Sequence, residues 1–329
     1  VRFNISPANY SKLLNAIGSG LFQALRQPAQ TEPQLVANMA CYVPQFINAL
    51  KLPDVHSAGV FVHGRPLVHC SNFPSPTPLS VEIGDLLLLR TIKNNGNVIS
   101  RAALLLQAKK TNSLPFIPEH RNQYHLYSKW PSFQYTAPNS LKGKKRHIAG
   151  PDLYNAAKFL LIEKKIRQHH TICPISYFFC CRNNCVFTAQ STFPQLSHYE
   201  CFQKELSEFI LGNAGKQYQS PPPRWSKNWD RLIHDLTTVT ARLTSTYIKK
   251  ATFDISSKRG QYLFFLSGNF SDPLSTLHSF SSAKYNDFSL DVPPEVPVSE
   301  NEQNDSHNQG FSIIEFVVST DKERDQNDF

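Results

Sequence analysis

Leu35, Met39, Val43, Phe46, Ile47 and Leu50 recur at the spacing of a helix that buries one face, and Thr31-Glu32-Pro33 ahead of them suits a helix N-terminus. The pattern predicts helices over 8–27 and 32–50. Residues 59–62 and 66–70 read as short strands around a Gly64-Arg65 turn, after which Pro74, Pro76 and Pro78 break the chain. Residues 81–92 and 98–109 are β-prone runs joined by Asn94-Asn95-Gly96-Asn97, a strong hairpin signal. Residues 102–106 are apolar on both faces, as in a central strand covered by helices. Further on, the pattern predicts helices at 119–130, 152–168, 197–212 and 228–250. It predicts strands at 171–181, 185–190, 262–266 and 311–319. The segment 291–310, rich in Pro, Glu, Asn and Gln, reads as a flexible acidic loop. The class is α/β, with a mixed central sheet flanked by helices and no internal repeat.

At 329 residues and 40% apolar content the chain can bury a sizeable core. Its longest apolar runs, 86–89 and 102–106, are far too short to span a bilayer. No charged-then-apolar leader opens the sequence, and a soluble, cytoplasmic protein is the expectation. Charge is unevenly spread. Residues 1–140 carry 12 Lys and Arg against 5 Asp and Glu, residues 141–250 carry 17 against 7, and residues 251–329 reverse to 5 against 13. A basic body with an acidic tail points to a polyanionic partner, nucleic acid being the commonest. Seven cysteines, an odd number without a secretion signal, argue for reduced thiols.

Acids are scarce before residue 140, being only Glu32, Asp54, Glu82, Asp85 and Glu119. Two of them open the first hairpin strand, in Val81-Glu82-Ile83-Gly84-Asp85, and Gln107-Ala108-Lys109 ends the second. Strand side chains alternate, so Gln107 and Lys109 project to one side. Register then decides whether Asp85 joins them. A two-residue Asn95-Gly96 turn pairs residues whose numbers total 191 and sets Asp85 against Leu106, on the wrong face. A three-residue loop, or a bulge near Gly84, moves the total to 192 and sets Asp85 against Gln107.

Asp85 followed by Gln107-Ala108-Lys109 resembles the PD-(D/E)xK nuclease superfamily, in its variant with Gln in place of the second acid. Gln123-Tyr124-His125-Leu126-Tyr127 matches the QxxxY helix motif of the RecB-like branch. The resemblance covers roughly residues 30–135 and implies a restriction-endonuclease-like core. With it the chain divides into a nuclease core with N-terminal helices (1–190), a mainly helical C-terminal elaboration (191–290), the acidic loop (291–310) and a final strand and tail (311–329). It implies metal-dependent hydrolysis of phosphodiester bonds, DNA being the expected substrate and bacterial defence or DNA processing the setting. Mg²⁺ or Mn²⁺ would be the cofactor, held by Asp85, the Gln107 side-chain carbonyl and the Ala108 backbone carbonyl. Glu32 or Glu82 would restore the carboxylate that Gln107 lacks. Lys109 would orient or deprotonate the attacking water and stabilise charge on the phosphate. Gln123 and Tyr127, four apart on one helix face, would contact Lys109 or the substrate backbone. Lys110 and the basic run Lys142, Lys144, Lys145 and Arg146 would contact phosphates without reading sequence.

Weaker signals point elsewhere. Cys173, Cys180, Cys181, Cys185, His198 and Cys201 invite a zinc reading, but the spacing lacks paired CxxC knuckles, and Tyr177-Phe178-Phe179 favours a buried strand. Lys164, Lys165, Arg167, His169 and His170 form a second basic cluster. Trp130, Trp225 and Trp229 suit loop anchoring better than base stacking. No Walker or dinucleotide-type glycine loop is present. Two rivals to the enzyme stand: a nucleic-acid-binding module with a crippled site, and a subunit that acts with a partner protein or a second copy of the chain. In the latter the acidic tail could lie in the basic groove.

Overall fold

In the computed structural model, the described residues are 5–27, 31–62, 65–112, 114, 116, 118, 120–150, 152–163, 186–192, 195–224, 228–249, 264–268 and 310–320. Two helices open the chain, α1 (Pro7–Arg26) and α2 (Glu32–Ala49). The Thr31 hydroxyl accepts from the Gln34 amide at 3.3 Å. That cap satisfies an otherwise orphaned N–H and fixes where α2 begins, with Glu32 at its first position. The remaining helices are α3 (Arg121–Lys129), α4 (Leu153–Ala156), α5 (Phe202–Leu211) and α6 (Asn228–Lys249). Among the described residues no helix is long and apolar enough to cross a membrane.

The main sheet combines β1 (Val55–Val62), β4 (Leu86–Asn94), β5 (Asn97–Thr111), β8 (Ala157–Glu163), β9 (Val186–Thr192), β10 (Gln195–Cys201), β12 (Phe264–Gly268) and β13 (Ser312–Ser319). Their order is β10-β9-β8-β5-β4-β13-β1-β12, and β11 (Lys216–Gln217) adds to β5. The sheet is mixed: β5 runs antiparallel to β4 but parallel to β8, and β13 runs parallel to β4 and antiparallel to β1. A smaller sheet is ordered β3-β2-β6-β7, from β2 (Leu67–His69), β3 (Val81–Glu82), β6 (Phe133–Ala137) and β7 (Lys145–Arg146).

Residue parity assigns the two faces of the central hairpin. Leu86, Leu88, Leu104, Leu106 and Ala108 pack with Leu13 and Ile17 of α1, Val36 and Val43 of α2, and Leu206 of α5. Leu87, Leu89, Ala103 and Leu105 pack with Leu126 of α3, Leu232 and Leu236 of α6, and Val68 and Tyr135 of the smaller sheet. Runs that are apolar on both faces thus become central strands. Asp85, Gln107 and Lys109 continue the second row beyond its apolar part.

Two predicted helices differ. Of residues 152–168, those described are 152–163; among them only Leu153–Ala156 is helical, and Ala157–Glu163 is β8, beside β5. Of residues 197–212, the first part is β10 and only Phe202–Leu211 is helical. The run 81–92 is split as well. It leaves the small sheet after Glu82 and enters the main sheet at Leu86, with Ile83, Gly84 and Asp85 between. The 191–290 segment supplies α5 and α6 together with β10, β11 and β12, while β13 lies between β4 and β1 in the main sheet. The strand predicted at 171–181 lies outside the described residues, as does the loop at 291–309.

Candidate functional site

The hairpin meets the register requirement by a route other than the two foreseen. Its turn is the two-residue one, with Asn94 opposite Asn97 and Lys93 opposite Val98. The register then shifts between Ile92 and Lys93, so Ile92 faces Ser100 and Leu86 faces Leu106. The extra residue is Ile99, one of the exposed large apolar side chains. One bulge beside the turn slips every later pair by one. It carries Asp85 to Gln107: the Asp85 amide donates to the Leu106 carbonyl at 2.8 Å, and the Gln107 amide group donates to Asp85 Oδ2. The Ala108 amide donates to the same oxygen at 2.6 Å.

Asp85 is 1% exposed. Its other oxygen lies 3.0 Å from Nε of Arg65, whose Nη1 donates to Glu82 Oε1 at 3.0 Å. Burial pushes the Asp85 carboxyl up to about 7, with Glu82 and Glu32 adding to the rise and Arg65 and Lys109 opposing it. Burial works against the Arg65 charge, but Asp85 and Glu82 more than offset it and its pKa is raised. Sequence reading passed over Arg65 as a turn residue, because its partners lie 17 and 20 positions away and no spacing marks them.

Lys109 Nζ lies 3.1 Å from Glu32 Oε2, and the Lys110 backbone amide donates to Glu32 Oε1 at 3.0 Å. The head of α2 is thereby tied to the end of β5. Lys109, Lys110 and Glu32 line a pocket whose opposite wall is Phe116, Pro118, His120, Gln123 and Phe159. The apolar part of that wall had no signal in the sequence. Gln123 is 6% exposed, and its Oε1 has no hydrogen-bond partner.

Among the described residues no three His, Cys, Asp or Glu side chains form a metal-holding group. A cation here would rest on the Asp85 and Glu32 carboxylates and on neutral oxygens. Gln107 Oε1 is buried without a partner, an acceptor that a hard cation would satisfy. Carboxylate and amide oxygens suit Mg²⁺ or Mn²⁺, which keep several waters. Such an ion would share Asp85 with the Arg65, Gln107 and Ala108 groups that already face its oxygens.

Tyr127 is brought near but not into the open. It is 2% exposed, its hydroxyl donates to the Ile83 carbonyl at 3.0 Å, and its ring packs on Trp130 and Phe159. Burial and the neighbouring Asp85 and Glu82 raise its pKa well above normal, so it stays a neutral donor. It pins the connection leading into Asp85. A Cβ on Gly84 would lie 2.8 Å from the Tyr127 hydroxyl, 3.0 Å from Leu105 Cδ1 and 3.2 Å from Phe311 Cζ. Gly84→Ala is therefore expected to cost about 1–3 kcal/mol by overpacking, read as a lowered urea midpoint; an unchanged midpoint would show that the connection can yield.

The other predicted contacts separate. Lys142, Lys144 and Lys145 are exposed on and beside β7 of the smaller sheet. Arg146 is engaged by α6, with Nε 2.8 Å from Asp235 Oδ2 and Nη2 3.0 Å from Oδ1. Trp130 and Trp229 are buried anchors, while Trp225 lies outside the described residues. Cys41, Cys70 and Cys201 are buried and not in disulfides. Cys173, Cys180, Cys181 and Cys185 and the basic cluster at 164–170 also lie outside the described residues. Comparison with protein-family models, with curated proteins and with solved structures finds no match to this chain.

Proposed function

We propose that this protein is a divalent-metal-dependent nuclease that hydrolyses phosphodiester bonds of DNA, built on a restriction-endonuclease-like core. The observation that carries the proposal is the convergence of Asp85, Gln107 and Lys109, from two strands and across a bulge, beside Glu32 at the head of a helix. No packing need of a hydrophobic core calls for these four polar side chains at one end of one sheet. The basic body of the chain agrees with a polyanionic substrate.

In this reading Asp85, Glu32 and Gln107 Oε1 would hold one Mg²⁺ or Mn²⁺, with the Ala108 carbonyl as a further oxygen. The ion, when bound, supplies Lewis acidity at the scissile phosphate and lowers the pKa of water. The protein supplies the rest. Glu32 takes one of the three donors of the Lys109 ammonium and holds the side chain at the pocket. Two donors are left to orient a water molecule and a phosphate oxygen, and the positive charge offsets the negative charge that builds in the transition state. Gln123 faces the same pocket and would hold the substrate backbone.

A second reading has one observation in its favour. Both Asp85 oxygens are already engaged by internal donors, as in a nucleic-acid-binding module that has lost its chemistry. Nicking of supercoiled plasmid separates the two. The nuclease is expected to nick with Mg²⁺ or Mn²⁺ and to stop on addition of EDTA. Plasmid binding that persists in EDTA, with no nicking under either metal, would overturn the enzyme and favour the module.

A further inference from the structure

We infer that Arg65 is a built-in cation of this site, occupying the role of a second metal ion, so that the centre takes a single divalent ion. The inference rests on the nuclease reading and specifies its metal content. Arg65 is no surface residue. Its side chain is 5% exposed, its Nε lies 3.0 Å from Asp85 and its Nη1 3.0 Å from Glu82, so it bridges two carboxylates as a shared cation would. Its Nε and Nη2 are buried without a hydrogen-bond partner, and so is Gln107 Oε1. The site therefore holds two donor atoms without a hydrogen bond, both on Arg65, and one such acceptor, on Gln107.

Charge decides how many ions such a centre accepts. Three carboxylates, Glu32, Glu82 and Asp85, are in direct contact with two cations, Arg65 and Lys109. The cluster carries one net negative charge. One divalent ion and one phosphodiester bring it to neutrality. A second divalent ion would leave two uncompensated positive charges at a buried carboxylate, where unpaired charge is costly. Gln107 fits this accounting: a Glu at that position would add one of the two negative charges that a second ion needs. A guanidinium cannot lose its proton in this setting, so its charge is permanent, unlike that of an exchangeable ion. Its planar fork also spans two carboxylates, which an ammonium cannot do with the same geometry.

The test is Mn²⁺ binding to the full chain at pH 8, by titration calorimetry and by the loss of the free-ion EPR signal, alongside plasmid nicking. Wild type is expected to bind one Mn²⁺ per chain, and its nicking rate to rise with Mn²⁺ with a Hill coefficient near one. Arg65→Gln, which removes the competing charge, is expected to bind Mn²⁺ at least tenfold more tightly or to gain a second ion, while nicking more slowly. Damage to the fold would weaken binding, so tighter binding is a readout that a merely structural role does not produce. Arg65→Lys keeps the charge and is expected to keep one ion at near wild-type affinity. Two ions bound by nicking-competent wild type would overturn the role of Arg65 and leave the nuclease standing. So would Arg65→Gln binding with unchanged stoichiometry and affinity. Wild type that neither binds Mn²⁺ nor nicks would instead overturn the nuclease reading. Should Arg65→Gln fail to fold, the wild-type stoichiometry and the Arg65→Lys titration still decide the matter.

Discussion

Lys109→Met is expected to lower the rate of plasmid nicking by roughly 10²–10⁴-fold, the range for loss of a positioned group that handles a proton or charge in the transition state. The fold should survive. Lys109 sits at the end of β5, half-buried, and methionine preserves most of its aliphatic stem. Its partner Glu32 keeps the Lys110 amide and has 30% of its side chain in solvent, so it is not stranded as a buried charge. Mn²⁺ affinity should hold or rise, because a cation leaves the site. Loss of nicking with binding intact is the signature sought, and nicking within threefold of wild type would remove Lys109 from the chemistry. Asp85→Ala is the less informative variant. It leaves Arg65 charged in the interior with only Glu82 as partner, and breaking a buried pair costs about 3–5 kcal/mol.

Lys158→Met is expected to destabilise the protein by about 3–5 kcal/mol at pH 8 and by clearly less at pH 5. Lys158 of β8 and Glu205 of α5 form a buried ion pair remote in role from the pocket. Nζ lies 2.8 Å from each carboxylate oxygen, and the Thr188 hydroxyl donates to one of them at 3.2 Å. Burial raises the Glu205 pKa, and Lys158 is the first of the influences that pull it back. A carboxyl whose folded pKa lies above its unfolded value contributes most below the unfolded value, and that contribution is lost as pH rises through the folded one. Removing Lys158 pushes the folded value further up. At pH 5 the stranded Glu205 can take a proton, whereas at pH 8 it must stay charged without a partner or bind a proton against the solution. Melting temperatures at the two pH values read this directly. Equal deficits at both would show that lost packing, not the stranded carboxylate, sets the cost. The double variant Lys158→Met, Glu205→Leu should recover most of the loss, since an apolar pair can replace a buried ion pair at little cost.

How far the site was legible follows from where its signals lie. Asp85, Gln107 and Lys109 were readable because hairpin partners are set by a local turn and strict alternation. The bulge at Ile99 was not, since nothing in Asn97-Val98-Ile99-Ser100 distinguishes a slipped register from a regular one. Glu32 could be placed at a helix start by Thr31 and Pro33, but its reach to Lys109 depends on how α2 packs under the sheet. Arg65 gave no local sign, for its role is made entirely by long-range pairing. The misread strand has a physical cause too. Ala157, Phe159, Leu160, Leu161 and Ile162 are buried on both faces, and a short doubly buried run has no period to separate strand from helix. Ala, Leu, Lys and Glu favour a helix in isolation, and the open edge of β5 overrides that preference. In β10, His198 at φ 51° and the irregular pairing between Ser197 and Glu200 blur the alternation that would have marked a strand.

The position of β13 bears on how the protein is made. Its neighbours β4 and β1 are complete about 200 residues before β13 is translated, an interval of roughly 10–40 s at about 5–20 residues per second. Throughout that time the nascent chain carries a gap in the middle of its future sheet, bordered by strands as apolar as Leu86-Leu87-Leu88-Leu89. Exposed strand edges of this kind template pairing with other chains. The sheet can close only after β13 itself has left the ribosome. Shielding of that slot during synthesis is therefore expected to raise the fraction of chains that reach the finished fold.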